Sequence, residues 1–378
     1  MTARPLLATL PAMDVAGRLA RLRAALADVG DGCDAALVTH LTNIRYLTGF
    51  TGSAALLVVP AEGEGEVVLV TDGRYEEQAA GELDGAGVPA RVSIGRTVAR
   101  QRELVAALLE GVGRIGLEAD HVSWNDQRRY ADAWFPGATL VPTSGLVETL
   151  RGTKDDGEVA RIEAACAIAD AALADVAPGL SDGPTEAAFA RALDDRMRDL
   201  GADDISFETI VASGPNGSRP HHTPEDRTIE HGDLVVIDFG ALVDGYHSDM
   251  TRTIAVGGLE ALGPEQRRMV AVVAEAQAAG VAAVAPGVPT RAVDEACRAV
   301  IDAAGWGDAF VHGTGHGVGL DIHEDPRVSS TADDTLAPGH VVTVEPGVYL
   351  PGLGGVRIED TVVVTAAGGR TLTHAPKS

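Results

Sequence analysis

The chain has 378 residues, of which 45% are hydrophobic and 4% aromatic, and its formal net charge is −25. This length allows more than one hydrophobic core, and the composition is that of a globular protein, which excludes an intrinsically disordered one. The negative charge argues against nucleic acid or an anionic membrane as a partner, because both attract basic surfaces.

The cysteines and the N-terminal residues indicate the cellular compartment. Cys33, Cys166 and Cys297 are far apart and form no CxxC motif, which is typical of free thiols in a reducing compartment. No apolar run approaches the length of a membrane span, and the first residues make a poor signal peptide and are better explained as a loose N-terminal arm. We therefore expect a cytoplasmic protein that does not contact a membrane.

The first portion has α/β character. Leucines at helical spacing predict a helix from Arg18 to Val29, and strand-length apolar runs follow at 35–39, 54–59 and 67–71. The polar segments 43–50 and 71–75 are expected in loops, with a substrate-facing position as the alternative. The pattern fades near residue 148, so we predict one domain over residues 1–148 and a second over residues 149–378.

The second domain opens with a long helix and contains an internal repeat. An apolar stripe from Val159 to Val176 predicts the helix, which Pro178-Gly179 would end. The residues 176–179 (VAPG) recur at 284–287, and Pro-Thr follows each copy, before another helical stretch and then strands. This repeat predicts a pseudo-symmetric domain with a site at the seam, although chance similarity of helix-end signals is an alternative explanation.

A hairpin in the first copy carries two aspartates. The segment Leu234–Arg252 reads as two strands joined at Asp244-Gly245, a dipeptide that accepts the positive φ angles of a tight turn. This register places Asp238 opposite Thr251 and puts Asp238 and Asp249 on one face. Two carboxylates on one face of a buried hairpin repel each other unless a cation lies between them. Asp249 taken alone would equally suit a turn or a solvated face.

The second copy supplies a histidine cluster. His312, His316 and His323 lie in or beside the glycine-rich segment 311–319. This segment superficially resembles a phosphate-binding loop, but it fails the GxGxxG pattern and no strand-to-helix transition encloses it. Glycines beside histidines instead indicate close backbone packing around imidazole ligands.

Two glutamates end apolar strands further on. Glu345 follows Val341–Val344, and Glu359 follows the run 355–358. A buried glutamate requires a cation or a strong donor, so either residue suits a metal ligand or a structural salt bridge. Arg357 lies two residues before Glu359 and would share its strand face, where it could orient that carboxylate.

Together these residues give four carboxylates and one imidazole. Such a set suits hard or borderline divalent ions such as Mn²⁺, Co²⁺ or Zn²⁺. The negative charge is too great for one ion, so we expect two ions that share carboxylates and a water.

The order of these residues resembles the metal-dependent "pita-bread" peptidases, the family of aminopeptidase P, prolidase and methionine aminopeptidase. The segments NIRYLTGFTGS and TDGRYEEQA resemble the N-terminal domain of aminopeptidase P and prolidase, and 207–223 resembles the segment that carries a catalytic histidine. The resemblance implies an α/β N-terminal domain, an α+β pita-bread domain with a curved antiparallel sheet and a pseudo-twofold repeat, and a homodimer. It also implies the metal ligands Asp238, Asp249, His316, Glu345 and Glu359.

The resemblance further implies hydrolysis of the peptide bond before proline by a water that two metal ions activate, Mn²⁺ first and Co²⁺ or Zn²⁺ as alternatives, with no organic cofactor. Glu345 would act as general base as well as ligand. His221, or its neighbour His222, would position the scissile group and handle protons together with His323. His312 would stabilise the tetrahedral intermediate.

Several functions stay open from the sequence. An Xaa-Pro dipeptidase is preferred because the chain is compact, and an aminopeptidase P that acts on longer peptides is the alternative. A non-catalytic binding module on the same fold is a second class, which the complete ligand set argues against. A metal-free creatinase-like hydrolase is a remote third, since such relatives lack the carboxylates.

Overall fold

In the computed structural model, which describes residues 7–30, 32–61 and 65–377, the chain divides into two units. One unit is Asp14–Arg151, and the other joins the residues before Asp14 to Gly152–Ser378. The division at Arg151 lies three residues after the predicted boundary at 148. Residues 1–6 of the predicted N-terminal arm lie outside the described residues. The rest of the arm is not loose, because the Pro11 carbonyl accepts a 3.0 Å hydrogen bond from Arg161 Nη1 of the larger unit.

The smaller unit is an α/β domain around a mixed six-stranded sheet. Its strands are β1 Ala35–Val38, β2 Ala55–Pro60, β3 Val67–Thr71, β4 Ala90–Ile94, β5 Arg114–Leu117 and β6 Thr139–Pro142. Its helices are α1 Arg18–Ala27, α2 Leu41–Thr48, α3 Glu76–Gly85, α4 Val98–Leu108, α5 Trp124–Arg129 and α6 Leu146–Gly152. The sheet order is β4-β3-β2-β1-β5-β6.

The expected loop over residues 43–50 is wrong. This segment forms most of α2, whose buried face includes Ile44 and Leu47 and whose end is Gly49, in the left-handed region at φ 77°. The apolar residues lie three apart, which is helical spacing, but polar residues separate them and the helix is short. The segment 71–75 does lie at a strand end, directly before α3.

The larger unit packs four long helices against antiparallel sheets. The helices are α7 Asp156–Val176, α8 Glu186–Asp199, α9 Pro264–Ala283 and α10 Thr290–Ala303. The strands of its first half are β7 Asp204–Ile205, β8 Ile210–Ser213, β9 Leu234–Phe239, β10 Ala241–Val243, β11 Tyr246–His247 and β12 Met250–Ala255. Those of its second half are β13 Gly315–Gly317, β14 Glu324–Val328, β15 Val341–Val344, β16 Gly347–Leu350, β17 Gly354–Arg357, β18 Asp360–Thr365 and β19 Gly368–Thr371. The sheet orders are β11-β10-β7, β12-β9-β8, β14-β13-β15-β18-β19 and β16-β17.

The predicted hairpin register is confirmed. Asp238 pairs with Thr251, and the turn residues Asp244 and Gly245 have φ angles of 49° and 75°. The pairing is not continuous, however, because β9 and β10 are separated at Gly240. A Cβ at Gly240 would lie 1.9 Å from the Ser248 carbonyl oxygen, so only glycine allows the two strands to approach here.

The two copies of the repeat have the same order of helix, helix and strands. In each copy the Pro-Thr segment bridges to a segment further along the chain, as Thr185 to Thr228 and as Pro289 to Thr335. Each copy also has its own core: one lies mainly over residues 165–256 and the other mainly over 262–364. The domain is therefore built twice on one plan, and its sheets can carry ligands from both halves.

The expectation that no apolar run approaches the length of a membrane span is wrong, because among the described residues the stretch Asp156–Asp182 is long and apolar enough by length and composition alone. Buried helices of globular domains share these properties. Ile162, Ala169 and Leu173 of this stretch are buried, and the last two belong to the first core.

Candidate metal centre

The predicted ligand side chains line one cavity of about 370 Å³ in the larger unit. Ligand atoms of Asp249, His316 and Glu359 all lie within 4.8 Å of one another, and Asp238 and Glu345 line the same cavity. The first copy supplies the aspartates on β9 and just before β12. The second copy supplies the rest, on β13, after β15 and between β17 and β18. The cavity is also lined by the other predicted site residues, His221, His312, His323 and Arg357.

His316 is oriented as a metal ligand. Its Nδ1 lies 3.0 Å from the Gly317 carbonyl oxygen, to which it donates, so the lone pair is left on Nε2. Nε2 lies 3.5 Å from Asp249 Oδ2 and 3.4 Å from Glu345 Oε1. Burial lowers the pKa of His316 to about 3, so the ring is neutral at pH 7, which is the form that binds metal ions.

The carboxylates of this cavity repel one another. Burial, followed by the charges of Glu359 and Asp238, raises the pKa of Asp249 well above its usual value. Burial likewise raises the pKa of Glu345 to about 8. Among the described residues, Asp238 Oδ1 and Glu359 Oε1 are buried and accept no hydrogen bond. Divalent cations would both neutralise these charges and satisfy these oxygens, so the residues present fit a metal centre.

The residues that orient the carboxylates of Glu359 and Asp238 differ from those that the sequence predicted. Thr251 Oγ1 donates to Glu359 Oε2 at 2.7 Å. Arg357 Nη2 donates to Asp238 Oδ2 at 2.6 Å instead of to Glu359. The alternation of strand faces does not apply to Arg357 and Glu359, because β17 ends at Arg357 and β18 begins at Asp360.

Arg357 also connects the metal centre to His312. Arg357 Nη1 donates to the Tyr349 hydroxyl at 2.8 Å, and that hydroxyl lies 2.8 Å from His312 Nε2. His312 Nδ1 lies 2.8 Å from the Gly313 carbonyl oxygen. Burial lowers the pKa of His312 to about 4, so the neutral ring donates through Nδ1 and accepts from Tyr349 through Nε2. Both nitrogens are thus engaged, and the predicted role of His312 toward a tetrahedral intermediate stays a prediction.

His221 and His323 differ from His312, because no described side chain or backbone group forms a hydrogen bond with either ring. The His323 ring centroid lies 4.4 Å from that of His316, and burial and then the charge of Arg327 lower the pKa of His323. His221 lines the cavity, whereas its neighbour His222 is buried away from it, which favours His221 for the predicted role.

Sequence reasoning missed the residue that holds the His221 segment. The buried Glu186 accepts hydrogen bonds from the backbone NH and hydroxyl of Ser213 at 2.7 and 2.6 Å and from Asn216 Nδ2 at 3.0 Å. Its other oxygen lies 2.8 Å from His222 Nε2. Burial alone would raise the pKa of Glu186, but these donors lower it. Because 36 residues separate Glu186 from His222, no local pattern connects them.

Comparisons with known proteins agree with this geometry. Residues 160–366 match the model of metallopeptidase family M24, and residues 18–152 match the creatinase/prolidase N-terminal domain. A Xaa-Pro dipeptidase of Pyrococcus horikoshii is 34% identical over 91% of this chain and 93% of its own length.

Two solved structures have the same fold over nearly the whole chain. The Xaa-Pro dipeptidase from Bacillus anthracis superposes with a TM-score of 0.90 at 37% identity, covering 96% of this chain and 99% of that one. An X-Pro aminopeptidase from Thermotoga maritima gives a TM-score of 0.83 at 32% identity, covering 92% and 97%. The predicted fold class, an α/β N-terminal domain before a pita-bread domain, is confirmed.

Replacing Glu359 with glutamine tests the repulsion among the carboxylates. We expect Glu359→Gln to bind less metal and yet to be more stable than the wild type when both are metal-free, because one of the crowded negative charges is gone. For a folding unit of the size of the larger one, a gain of about 1 kcal/mol corresponds to a melting temperature about 2 °C higher. Metal analysis and thermal unfolding in chelator at pH 8 measure both effects. Glu275→Gln, on the exposed face of α9, is the control. Lower stability of metal-free Glu359→Gln would contradict the repulsion.

Replacing Glu186 tests the support of the His221 segment. Glu186→Gln puts an amide NH₂ where a carboxylate accepted only, so at least one donor loses its partner, at a cost of about 1–3 kcal/mol in the free energy of unfolding. We expect faster amide hydrogen exchange over residues 213–225 with unchanged metal content. The exposed Glu230→Gln should leave exchange unchanged. Unaltered exchange in Glu186→Gln would show that other contacts hold the segment.

Proposed function

The chain belongs to metallopeptidase family M24, and on this basis we propose that it is a Xaa-Pro dipeptidase that hydrolyses the peptide bond before proline. The observation that carries the proposal is the convergence of Asp238, Asp249, His316, Glu345 and Glu359 on one cavity. The P. horikoshii relative and the B. anthracis structure are both Xaa-Pro dipeptidases, which supports the same substrate class.

The proposed metal ligands are these five side chains, and the proposed occupants are two Mn²⁺ ions, with Co²⁺ or Zn²⁺ as alternatives. When bound, the ions would supply a Lewis acid for the scissile carbonyl and a water of lowered pKa. Four carboxylates against one imidazole favour a hard ion, which supports Mn²⁺. Glu345, which lines the cavity, is proposed to take a proton from the attacking water.

The other proposed contributions come from the cavity wall. Phe207, Ile210 and Ile322 line the cavity and offer an apolar surface for a pyrrolidine ring. His221 and His323, whose rings bond to no described residue, are proposed to position the scissile carbonyl and transfer protons. Arg357 is proposed to fix the position of the Asp238 carboxylate through its hydrogen bond, and it donates a second hydrogen bond to the Tyr349 hydroxyl.

Arg327 favours the dipeptidase over an aminopeptidase. It lies on β14, lines the cavity and is exposed, and among the described residues no carboxylate lies within ion-pair distance of it. The proline of an Xaa-Pro dipeptide carries a free carboxylate, and we propose that Arg327 binds it by a charge-assisted hydrogen bond. In a longer peptide the same position is a neutral amide.

We also propose a cytoplasmic homodimer. The three cysteines are buried and unpaired, as in proteins of reducing compartments. The net charge of −25 supports the expectation that nucleic acid and anionic membranes are not partners. Dimerisation rests on the family resemblance, and sedimentation analysis tests it.

Metal removal tests the reaction itself. We expect chelated protein to leave Ala-Pro intact, and reconstitution with Mn²⁺ to restore hydrolysis more fully than reconstitution with Zn²⁺. Ala-Ala, which has a secondary amide, should be a much poorer substrate. Hydrolysis by protein that metal analysis shows to be empty would overturn the proposal, and so would failure to cleave any Xaa-Pro peptide with two metal ions verified in place.

Substitution of Arg327 distinguishes the two peptidase classes. Arg327→Ala should lower kcat/KM for Ala-Pro by about 10- to 100-fold, mainly through KM, because a charge-assisted hydrogen bond of about 1.5–3 kcal/mol is lost. Ala-Pro-amide, which lacks the carboxylate, should be affected little, and Arg327→Lys should recover part of the loss. Equal losses for Ala-Pro and its amide would favour the aminopeptidase.

A further inference from the structure

The smaller unit contains a second group of metal-ligating side chains. One ligand atom from each of His40, His121 and Glu148 lies within 4.8 Å of the other two. His121 Nε2 is 2.7 Å from Glu148 Oε1, and the rings of His40 and His121 stack with centroids 3.7 Å apart. Nothing in the proposed peptidase reaction uses these residues.

The three side chains come from three different segments of the unit. His40 directly precedes α2, His121 follows β5 in a turn, and Glu148 lies in the first turn of α6. Two imidazoles with one carboxylate form the donor set of many Zn²⁺ and other transition-metal sites, in which water completes the coordination.

A buried network fixes the backbone of His40. Glu118, which is 6% exposed, accepts hydrogen bonds from the backbone NH groups of Thr39 and His40 at 2.6 and 2.8 Å. The other Glu118 oxygen accepts from Asn43 Nδ2 at 2.8 Å. These hydrogen bonds therefore fix the backbone position of His40 without a bound ligand.

The same network fixes the carboxylate of Glu148. Asn43 Nδ2 also donates to Glu148 Oε1 at 2.6 Å, and Asn43 Oδ1 accepts from Arg151 Nη1 at 2.9 Å. The amide of Asn43 therefore serves two carboxylates and one guanidinium in a single orientation. Outer partners that hold ligands in this way are a regular feature of metal sites.

His121 is the adjustable member. Its side chain is 28% exposed and lies in a turn, so its ring has room to rotate. The stacked rings must tilt apart for both lone pairs to reach one ion, because each lone pair lies in its ring plane. The hydrogen bond to Glu148 would then be exchanged for a shared ion.

We propose that His40, His121 and Glu148 bind one divalent transition-metal ion, Zn²⁺ in the first place, in a site separate from the metallopeptidase centre. The donor sets differ: this site has two imidazoles and one carboxylate, whereas the centre in the larger unit has one imidazole and four carboxylates. Imidazole-rich sites prefer Zn²⁺ over Mn²⁺, so the two places select different ions. The ion would connect the starts of α2 and α6 to the turn after β5, which stabilises the smaller unit.

Zinc content tests this site in the full-length protein. Metal-free wild type and His121→Ala are equilibrated with Zn²⁺, freed of unbound metal and analysed for zinc per chain. We expect His121→Ala to hold one zinc equivalent fewer than the wild type. Glu148→Gln, which keeps an acceptor for Asn43, should weaken the same equivalent at least 10-fold in chelator competition. His374→Ala, an exposed histidine elsewhere, should match the wild type.

Two further measurements separate this site from the peptidase centre. His121→Ala should hydrolyse Ala-Pro like the wild type, whereas Glu359→Gln should lose metal in the peptidase centre and keep the zinc equivalent that depends on His121. Zn²⁺ should also raise the melting temperature of Glu359→Gln more than that of a Glu359→Gln, His121→Ala double variant. Equal zinc contents of folded wild type and His121→Ala would overturn the second site, whatever the peptidase assays give.

Discussion

Four carboxylates brought together out of water set the central constraint of this molecule. Asp238, Asp249, Glu345 and Glu359 surround one neutral imidazole. Burial, and after it the charges of neighbouring carboxylates, raises the pKa of Asp249, Glu345 and Glu359. A fold can hold such a cluster only if cations compensate it or if protons are taken up instead. The rest of the larger unit can be understood as the framework that places these charges together.

That framework is a plan used twice. Each copy of helix, helix and strands buries its own apolar core, and side chains from both copies line the cavity of the metal centre. The first copy contributes the aspartates of a tight hairpin, and the second contributes the histidine and the glutamates. Neither copy alone has enough ligands for two ions, so the site requires both, as the sequence repeat indicated.

The sequence predicted features whose cause is local. The Asp244-Gly245 turn fixed the register that pairs Asp238 with Thr251, because a turn type and a period of two determine which residues face each other. The break at Gly240 was not predicted, because it depends on a close approach to Ser248 across the hairpin. The partner of Arg357 was predicted wrongly for a related reason, since strand alternation ends where β17 ends. Glu186 contacts His222, which is 36 positions away, and Asn43 contacts Glu148, which is 105 positions away. The periodicity of a sequence cannot predict contacts between residues so far apart.

The hydrogen bonds around the cavity also divide the histidines by what they can do. His316 gives Nδ1 to Gly317 and keeps Nε2 for metal, while His312 is engaged at both nitrogens by Gly313 and Tyr349. A ring engaged at both nitrogens, such as that of His312, must break a hydrogen bond before it can contact a substrate. A ring that bonds to no described residue can bind a substrate and exchange a proton without breaking a hydrogen bond. The rings of His221 and His323 bond to no described residue. Among the histidines, these two therefore suit the proton transfers that the proposed reaction requires beside Glu345. His312 is connected to Asp238 by hydrogen bonds through Tyr349 and Arg357.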